Sequence, residues 1–193
     1  NYLVIGGGIT GVTAAETIRG RDRAGKIAIL SAEPHPLYSR VLLPAYLKNK
    51  IPRERVFLRT QEDFIKKGID FYPDTEAVRV DAARRIVETK DGREFSFQHL
   101  LIATGGAPGP WPHGEAQESL YRLQTIDDAD RLYGAMNSLR SPLIVGSSFI
   151  ALEFLEIFLQ NKIIPTVLVR DDRFFGAFLD TQGGAMMEET MKK

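Results

Sequence analysis

Residues 2–11 read Tyr-Leu-Val-Ile-Gly-Gly-Gly-Ile-Thr-Gly, an apolar run feeding straight into a G-x-G-x-x-G turn. This is the pattern of a strand–turn–helix unit, and it restricts the chain to folds that set a strand end beside a helix N-terminus. Gly6 is expected to make the tight turn. Gly8 lets the backbone approach a pyrophosphate with no Cβ in the way, and Gly11 lets the helix lie close to the strand. Beginning at Ile9, that helix would offer unpaired N–H groups and a partial positive charge to an anion. Ile9, Val12, Ala15 and Ile18 give a helical stripe over 9–19, and 26–30 is a second strand. Glu33 follows, 22 residues beyond Gly11, near where such units carry an acid that accepts hydrogen bonds from an adenosine ribose. The alternative for Glu33 is a solvated loop acid before Pro34.

Composition removes several function classes. Lys plus Arg and Asp plus Glu both number 25, so the formal net charge is zero and no basic field recruits nucleic acid or an anionic membrane. No apolar run reaches the roughly 18 residues that cross a bilayer. A cytoplasmic protein is expected. Cysteine is absent, which excludes disulfides, thiolate metal sites and a redox-active C-x-x-C within this sequence. His35, His99 and His113 are scattered without metal-ligand spacing and are expected in loops or at strand edges.

Along the chain, short helices are expected around 42–48 and 61–67. Strands are expected at 70–72, 77–80, 85–89 and 95–97, with Asp91-Gly92 as a hairpin turn. A continuous buried strand, 99–103, then ends in Thr104-Gly105-Gly106. The Pro- and Gly-rich stretch 107–114 marks a crossing between domains, and 127–137 should be a helix. After it the opening pattern returns: a strand at 142–146, a helix at 148–159, a strand at 165–169. The echo falls 140 residues on and aligns Gly6 with Gly146, Gly8 with Ser148 and Gly11 with Ala151. Met186, Met187 and Met191 read as the apolar side of a last helix.

In their order, these signals resemble the FAD-dependent pyridine nucleotide-disulfide oxidoreductase family over essentially the whole chain. The residues that carry the resemblance are Gly6-x-Gly8-x-x-Gly11-x-x-x-Ala15, Glu33, the Tyr38-Ser39-Arg40 loop, Leu100-Leu101-Ile102-Ala103-Thr104-Gly105, and the turn at Gly146 leading to Glu153. The resemblance implies an α/β chain of two Rossmann-like three-layer dinucleotide-binding domains, an FAD-binding first segment over 1–108 and an NAD(P)-binding domain over 109–193, the second incomplete. It implies FAD contacts at Gly6, Gly8, Ile9, Gly11, Glu33, Arg40, Ala77, Ala103, Thr104 and Gly105. NADH or NADPH contacts fall at Gly146, Ser148, Phe149, Glu153 and Arg170. Family members place the glutamate beside the nicotinamide, and Phe149 matches an aromatic that covers the flavin until the nicotinamide displaces it. No side chain is expected to transfer a proton, since hydride transfer is the cofactors' own chemistry.

Departures from the family pattern refine this. Leu43-Pro44 is present, but Val41 stands where thiol-using members carry a cysteine, which points to the branch that passes electrons outward: ferredoxin and rubredoxin reductases and the flavin portion of nitrite reductases. The lysine that such members hold near the flavin matches Ala45, with Lys48 one turn on as a substitute. Ser148 brings a Cβ, and a hydroxyl that can donate a hydrogen bond, to the phosphate approach. Arg170 stands where NADH enzymes place an acid. It is suited to pairing bidentately with a 2′-phosphate or, alternatively, with Asp171 or Asp172. The expected activity is reduction of FAD by NAD(P)H with electrons passed to a protein or small-molecule acceptor. Rival expectations are a non-catalytic FAD-binding module of a larger electron-transfer complex and a single NAD-dependent dehydrogenase. The resemblance also implies that the sequence is a fragment of a longer protein that binds FAD weakly by itself, with a homodimer as the candidate assembly of the complete protein.

Overall fold

A computed structural model describes residues 1–112, 119–170, 173–176 and 178–191. In chain order the elements are β1 (Tyr2–Ile5), α1 (Ile9–Arg21), β2 (Ile27–Leu30), α2 (Leu43–Leu47), α3 (Gln61–Lys66), β3 (Ile69–Tyr72), β4 (Ala77–Asp81), β5 (Ile86–Thr89), β6 (Glu94–Ser96), β7 (His99–Ile102), α4 (Ile126–Ala135), β8 (Leu143–Val145), α5 (Phe149–Gln160), β9 (Thr166–Leu168) and α6 (Thr181–Met191). They fall into two compact units, one of residues 1–40 and 53–118, the other of 41–52 and 119–193.

The first unit is built on a parallel sheet ordered β3-β2-β1-β7, in which Val4 is in register with both Ile29 and Leu101. Because strand side chains alternate between faces, this sheet feeds two cores. Val4, Ile27, Ile29, Ile69 and Phe71 pack with Val12 and Ala15 of α1 and Phe64 of α3. Leu3, Ile5 and Leu30 face the other way, against Val87 and the antiparallel sheet β4-β5-β6. Helices, parallel sheet and small antiparallel sheet make three layers. The helical layer is tied down by Arg19, whose guanidinium donates to the backbone carbonyls of Asp22, Gly25, Lys67 and Gly68. One turn earlier, Glu16 accepts from Arg59 at 2.7 and 3.0 Å and from Lys67 at 2.6 Å.

Two sequence expectations are corrected here. The strand 99–103 is not buried throughout: β7 is the edge of the sheet among the described residues, and Ile102 is 62% exposed. In the α1 stripe, Val12 and Ala15 are buried but Ile9 is 61% exposed, because it is the first helical residue and stands over the turn rather than over the sheet.

In the second unit β8 and β9 pair in parallel, Val145 opposite Leu168, with Ala151, Leu155, Ile157 and Phe158 of α5 buried. Helix α4 opens on a capping box in which Thr125 accepts from the Asp128 amide and the Asp128 carboxylate accepts from the Thr125 amide. Helix α2 belongs to this unit. Tyr46 stacks on Tyr133 at 5.0 Å between ring centroids and its hydroxyl donates to Asp130, while Asn161 at the end of α5 donates to the Leu47 carbonyl. Residues 41–52 therefore pack with this unit although they lie within 1–108. Their polar and aromatic contacts attach them to α4 and α5, which the sequence pattern of either half does not reveal. No helix among the described residues is long and apolar enough to cross a membrane.

Candidate nucleotide-binding sites

At the first turn the backbone accounts for the glycines. Gly6 has φ +121, a conformation that disfavours side chains, and an ideal Cβ there would lie 2.1 Å from the Ala103 carbonyl oxygen. The Gly6 amide donates to Leu30 O, and the Ala103 amide donates to Ile5 O, so the turn is locked between the ends of β2 and β7. A Cβ on Gly11 would stand 2.0 Å from Gly6 O and 3.0 Å from Val4 Cγ1, which is the close helix–strand approach expected. Gly8 differs. It is exposed, has ordinary extended backbone, and a Cβ there would meet nothing within 4 Å. The space over Gly8 at the α1 N-terminus is open, a fit for the phosphates of a dinucleotide.

Gly7 was not singled out by sequence reasoning, yet a Cβ on it would fall 2.7 Å from Ser31 Oγ and 3.2 Å from the Phe71 ring. Only the pairing of β2 beside β1 makes it visible. Ser31 in turn accepts from the Thr75 amide, and Glu33 O accepts from Asp74, so the ends of β2 and β3 are laced together two residues before Ala77. Glu33 and Arg40 are brought together: Arg40 Nη2 donates to Glu33 Oε1 at 2.8 Å and Tyr38 Oη to Oε2 at 2.5 Å. Glu33 is thus a partly buried, oriented carboxylate with lone pairs still available for a ribose, and Arg40 is its neutralising partner. Thr104 and Gly105 follow β7 on the exposed side of Ala103, Gly105 at φ +70 with open space around it.

The second turn repeats the first in its hydrogen bonds. Gly146 N donates to Leu168 O at 2.9 Å as Gly6 N does to Leu30 O at 2.8 Å, and Leu152 N to Ser148 O as Val12 N does to Gly8 O. Gly146 has φ +128, and Ser148 takes the same extended backbone as Gly8, at φ −105, which any residue adopts. The Ser148 side chain makes no cap on its own helix, and Ala151 is buried. Phe149 and Arg170 are exposed. Asp171 and Asp172, the alternative partners of Arg170, lie outside the described residues, as does His113.

Glu153 is the fifth residue of α5, past the first turn, so the helix dipole does not account for it. Its partner is Lys48. The Lys48 ammonium, 10% exposed, lies 3.5 Å from Glu153 and 2.6 Å from Glu156. Burial acts to lower the Lys48 pKa, but the Glu156 hydrogen bond and both carboxylate charges outweigh it and hold the pKa above its ordinary value. Glu156 is correspondingly lowered by the bond from Lys48. Lys48 thus supplies the cation beside Glu153, with Glu156 as an additional partner. Sequence reasoning also missed Phe175 and Phe178, whose rings lie 4.8 and 5.5 Å from that of Phe149. Nothing in a loop sequence announces which ring it will cover.

Two strand–turn–helix openings with matching backbone geometry, one open over Gly8 and one over Gly146, define the class: an α/β protein with tandem nucleotide-binding folds. The sequence pattern of the pyridine nucleotide-disulphide oxidoreductase family matches residues 1–193, and the chain belongs to that family. It is 26% identical over 193 residues to the NADH-dependent phenylglyoxylate dehydrogenase subunit epsilon of Aromatoleum evansii, covering 99% of this chain and 46% of that protein. It is 28% identical to putidaredoxin reductase of Pseudomonas putida, covering 87% of this chain and 41% of the relative. Among solved structures, an NAD-dependent persulfide reductase from A. fulgidus superposes with a TM-score of 0.91 at 27% identity, over 100% of this chain and 38% of that one. The chain spans less than half the length of these relatives.

Proposed function

We propose that this chain forms the FAD-binding and NAD(P)H-binding part of a flavoprotein oxidoreductase that takes hydride from a reduced nicotinamide and passes electrons to a protein or small-molecule acceptor. FAD, when bound, supplies the hydride uptake and the onward electron transfer. The chain's own residues bind and orient. In this reading Gly6, Gly8, Ile9 and Gly11 present the α1 N-terminus to the FAD pyrophosphate, and Glu33, oriented by Tyr38 and Arg40, accepts from the adenosine ribose. The backbone near Ala77 borders the adenine, and Ala103, Thr104 and Gly105 border the flavin. Gly146, Ser148 and Phe149 open the nicotinamide-nucleotide site, and Glu153, held by Lys48, faces the nicotinamide. The observation that carries the reading is the repetition of one turn geometry at Gly6 and Gly146.

Arg170 favours NADPH, its guanidinium matching a 2′-phosphate, while the phenylglyoxylate dehydrogenase relative is named as NADH-dependent. A protein acceptor suits the likeness to putidaredoxin reductase. A cytoplasmic location and a homodimeric assembly belong to the same reading. Ser148, in the position of the phosphate-approach glycine, favours a second reading in which the chain is a non-catalytic FAD-binding module. Anaerobic mixing of the FAD-loaded protein with NADH and with NADPH decides between them. Bleaching of the flavin absorbance, faster with NADPH, is expected; an oxidised spectrum unchanged by either nucleotide sinks the reductase reading.

A further inference from the structure

Phe149 opens α5 directly after the second turn with its side chain 64% exposed, and its ring is not alone. Phe175 and Phe178 approach it at 4.8 and 5.5 Å and lie 5.9 Å from each other, and Phe174 packs on Phe175 at 5.0 Å. Phe175 adopts φ +57, a left-handed conformation that is uncommon and costly for a bulky residue. The surroundings hold it there. Its carbonyl accepts from the amides of Phe178 and Leu179 at 2.8 and 2.9 Å, Arg173 Nε donates to Leu179 O, and the Phe174 amide donates to Glu188 of α6 at 3.0 Å. The Arg173 stem fills the place where Gly184 of α6 lacks a Cβ. A segment bent against its backbone preference and anchored on α6 therefore delivers two rings to a third. Phe174 and Phe175 are buried, at 2% and 5% exposure, but Phe149 and Phe178 both remain about two-thirds exposed, so core burial accounts for the base of the cluster and not for the contacts made on the Phe149 ring.

We propose that Phe175 and Phe178 are positioning residues that clasp the Phe149 ring and so govern entry of a nicotinamide ring at the second turn; this rests on the reading that the second turn takes NAD(P)H. Two aromatic contacts oppose displacement of Phe149, and a nucleotide that has to move this ring binds more weakly by the strength of those contacts. Removing one ring of the clasp should therefore strengthen nucleotide binding. An ordinary structural role would weaken it or leave it unchanged.

The test uses the whole chain with a para-fluorine on Phe149, in wild type and in Phe178→Ala, Phe178→Tyr and Phe175→Gly. Phe178 is exposed, so its truncation leaves the fold intact and makes Phe178→Ala the deciding variant; Phe175 is buried, and Phe175→Gly gives up that packing while removing a ring and relieving the left-handed backbone. Nucleotide fluorescence gives the affinity for NADH and NADPH, with no need for flavin. The expected result is a shifted, narrowed fluorine resonance and roughly three- to tenfold tighter binding in Phe178→Ala and Phe175→Gly, with Phe178→Tyr close to wild type. An unchanged fluorine resonance in both truncations overturns the clasp, and a freed ring with unchanged or weaker binding overturns its gating role. Absence of binding by wild type and all variants overturns the reading of the second turn itself, a result the fluorine signal keeps separate from failure of the clasp.

Discussion

Replacement of Gly11 by alanine should disrupt the first unit through a single contact. The added Cβ falls 2.0 Å from the Gly6 carbonyl oxygen and 3.0 Å from Val4 Cγ1. Reaching the ordinary contact distance of 3.4 Å requires α1 to retreat from the turn by about 1.4 Å. The carbonyl cannot rotate away, because Gly6 is fixed by its own amide bond to Leu30 O and by the Ala103 backbone behind it. The retreat would loosen Val12 and Ala15, both now fully packed against the sheet. Overpacking of this kind costs about 1–3 kcal/mol, and the rigidity of the struck atom places Gly11→Ala at about 3 kcal/mol. Amide hydrogen exchange in β1 and β2 reads that unit alone, and its core amides should exchange roughly a hundredfold faster. Gly8→Ala is the control: the Cβ enters open space from an allowed backbone, so exchange should change by no more than about twofold. Flavin binding should respond oppositely, falling about tenfold or more in Gly8→Ala because the methyl occupies the phosphate approach. Equal exchange rates in the two variants would refute the geometric argument.

Three further outcomes follow from the polar contacts and helix interiors. The Arg59 hydrogen bonds, working against burial and joined by Lys67, lower the Glu16 pKa from 4.5 to about 2. Its folded-state pKa is depressed, so its stabilisation is complete above pH 4.5 and disappears as pH falls towards 2; urea titrations should show that acid-dependent loss in wild type and not in Glu16→Gln. Lys48→Met takes the cation from Glu153 and leaves Glu156 with Lys50 alone, 4.0 Å away, and because both carboxylates are nearly half exposed it should destabilise the second unit by about 1 kcal/mol at most, read as faster exchange in α5. Gly20 lies inside α1 with open space around its missing Cβ, so Gly20→Ala should stabilise by about 0.5–1 kcal/mol in thermal melts.

Local patterns carried much of the fold. The turn at Gly6, the stripe at Val12 and Ala15, the strand at Ile27 and the echo at Gly146 depend on spacing along the chain, and the structure places them together as expected. Long-range partners were harder to read. Ile102 looks as apolar as Ile29, yet among the described residues one sits in the outermost strand and the other in the middle of the sheet. Tyr46 and Lys48 precede by some eighty to a hundred residues the groups that claim their segment for the second unit. Of the candidate site, the Glu33–Arg40 pairing was contained within a single loop, but which oxygen took which donor required coordinates. Gly7, Glu156 and the Phe175–Phe178 pair owe their roles to neighbours across the sheet, on α2 and at the head of α5, and no periodicity encodes these.

Comparison of the two turns separates what the shared motif demands from what its setting demands. Both Gly6 and Gly146 hold positive φ and donate to the end of the neighbouring strand, so the turn itself requires glycine at each. Behind Gly6 a Cβ would also strike the Ala103 carbonyl oxygen at 2.1 Å. Substitution at either glycine meets the backbone preference, a cost of order 1–3 kcal/mol, and at Gly6 the steric clash with the Ala103 backbone adds to it. At the third position, Gly11 admits no side chain but the equivalent Ala151 is buried without disrupting α5. The backbone thus demands glycine at the first position of both turns, while packing demands it at the third position of the first turn alone.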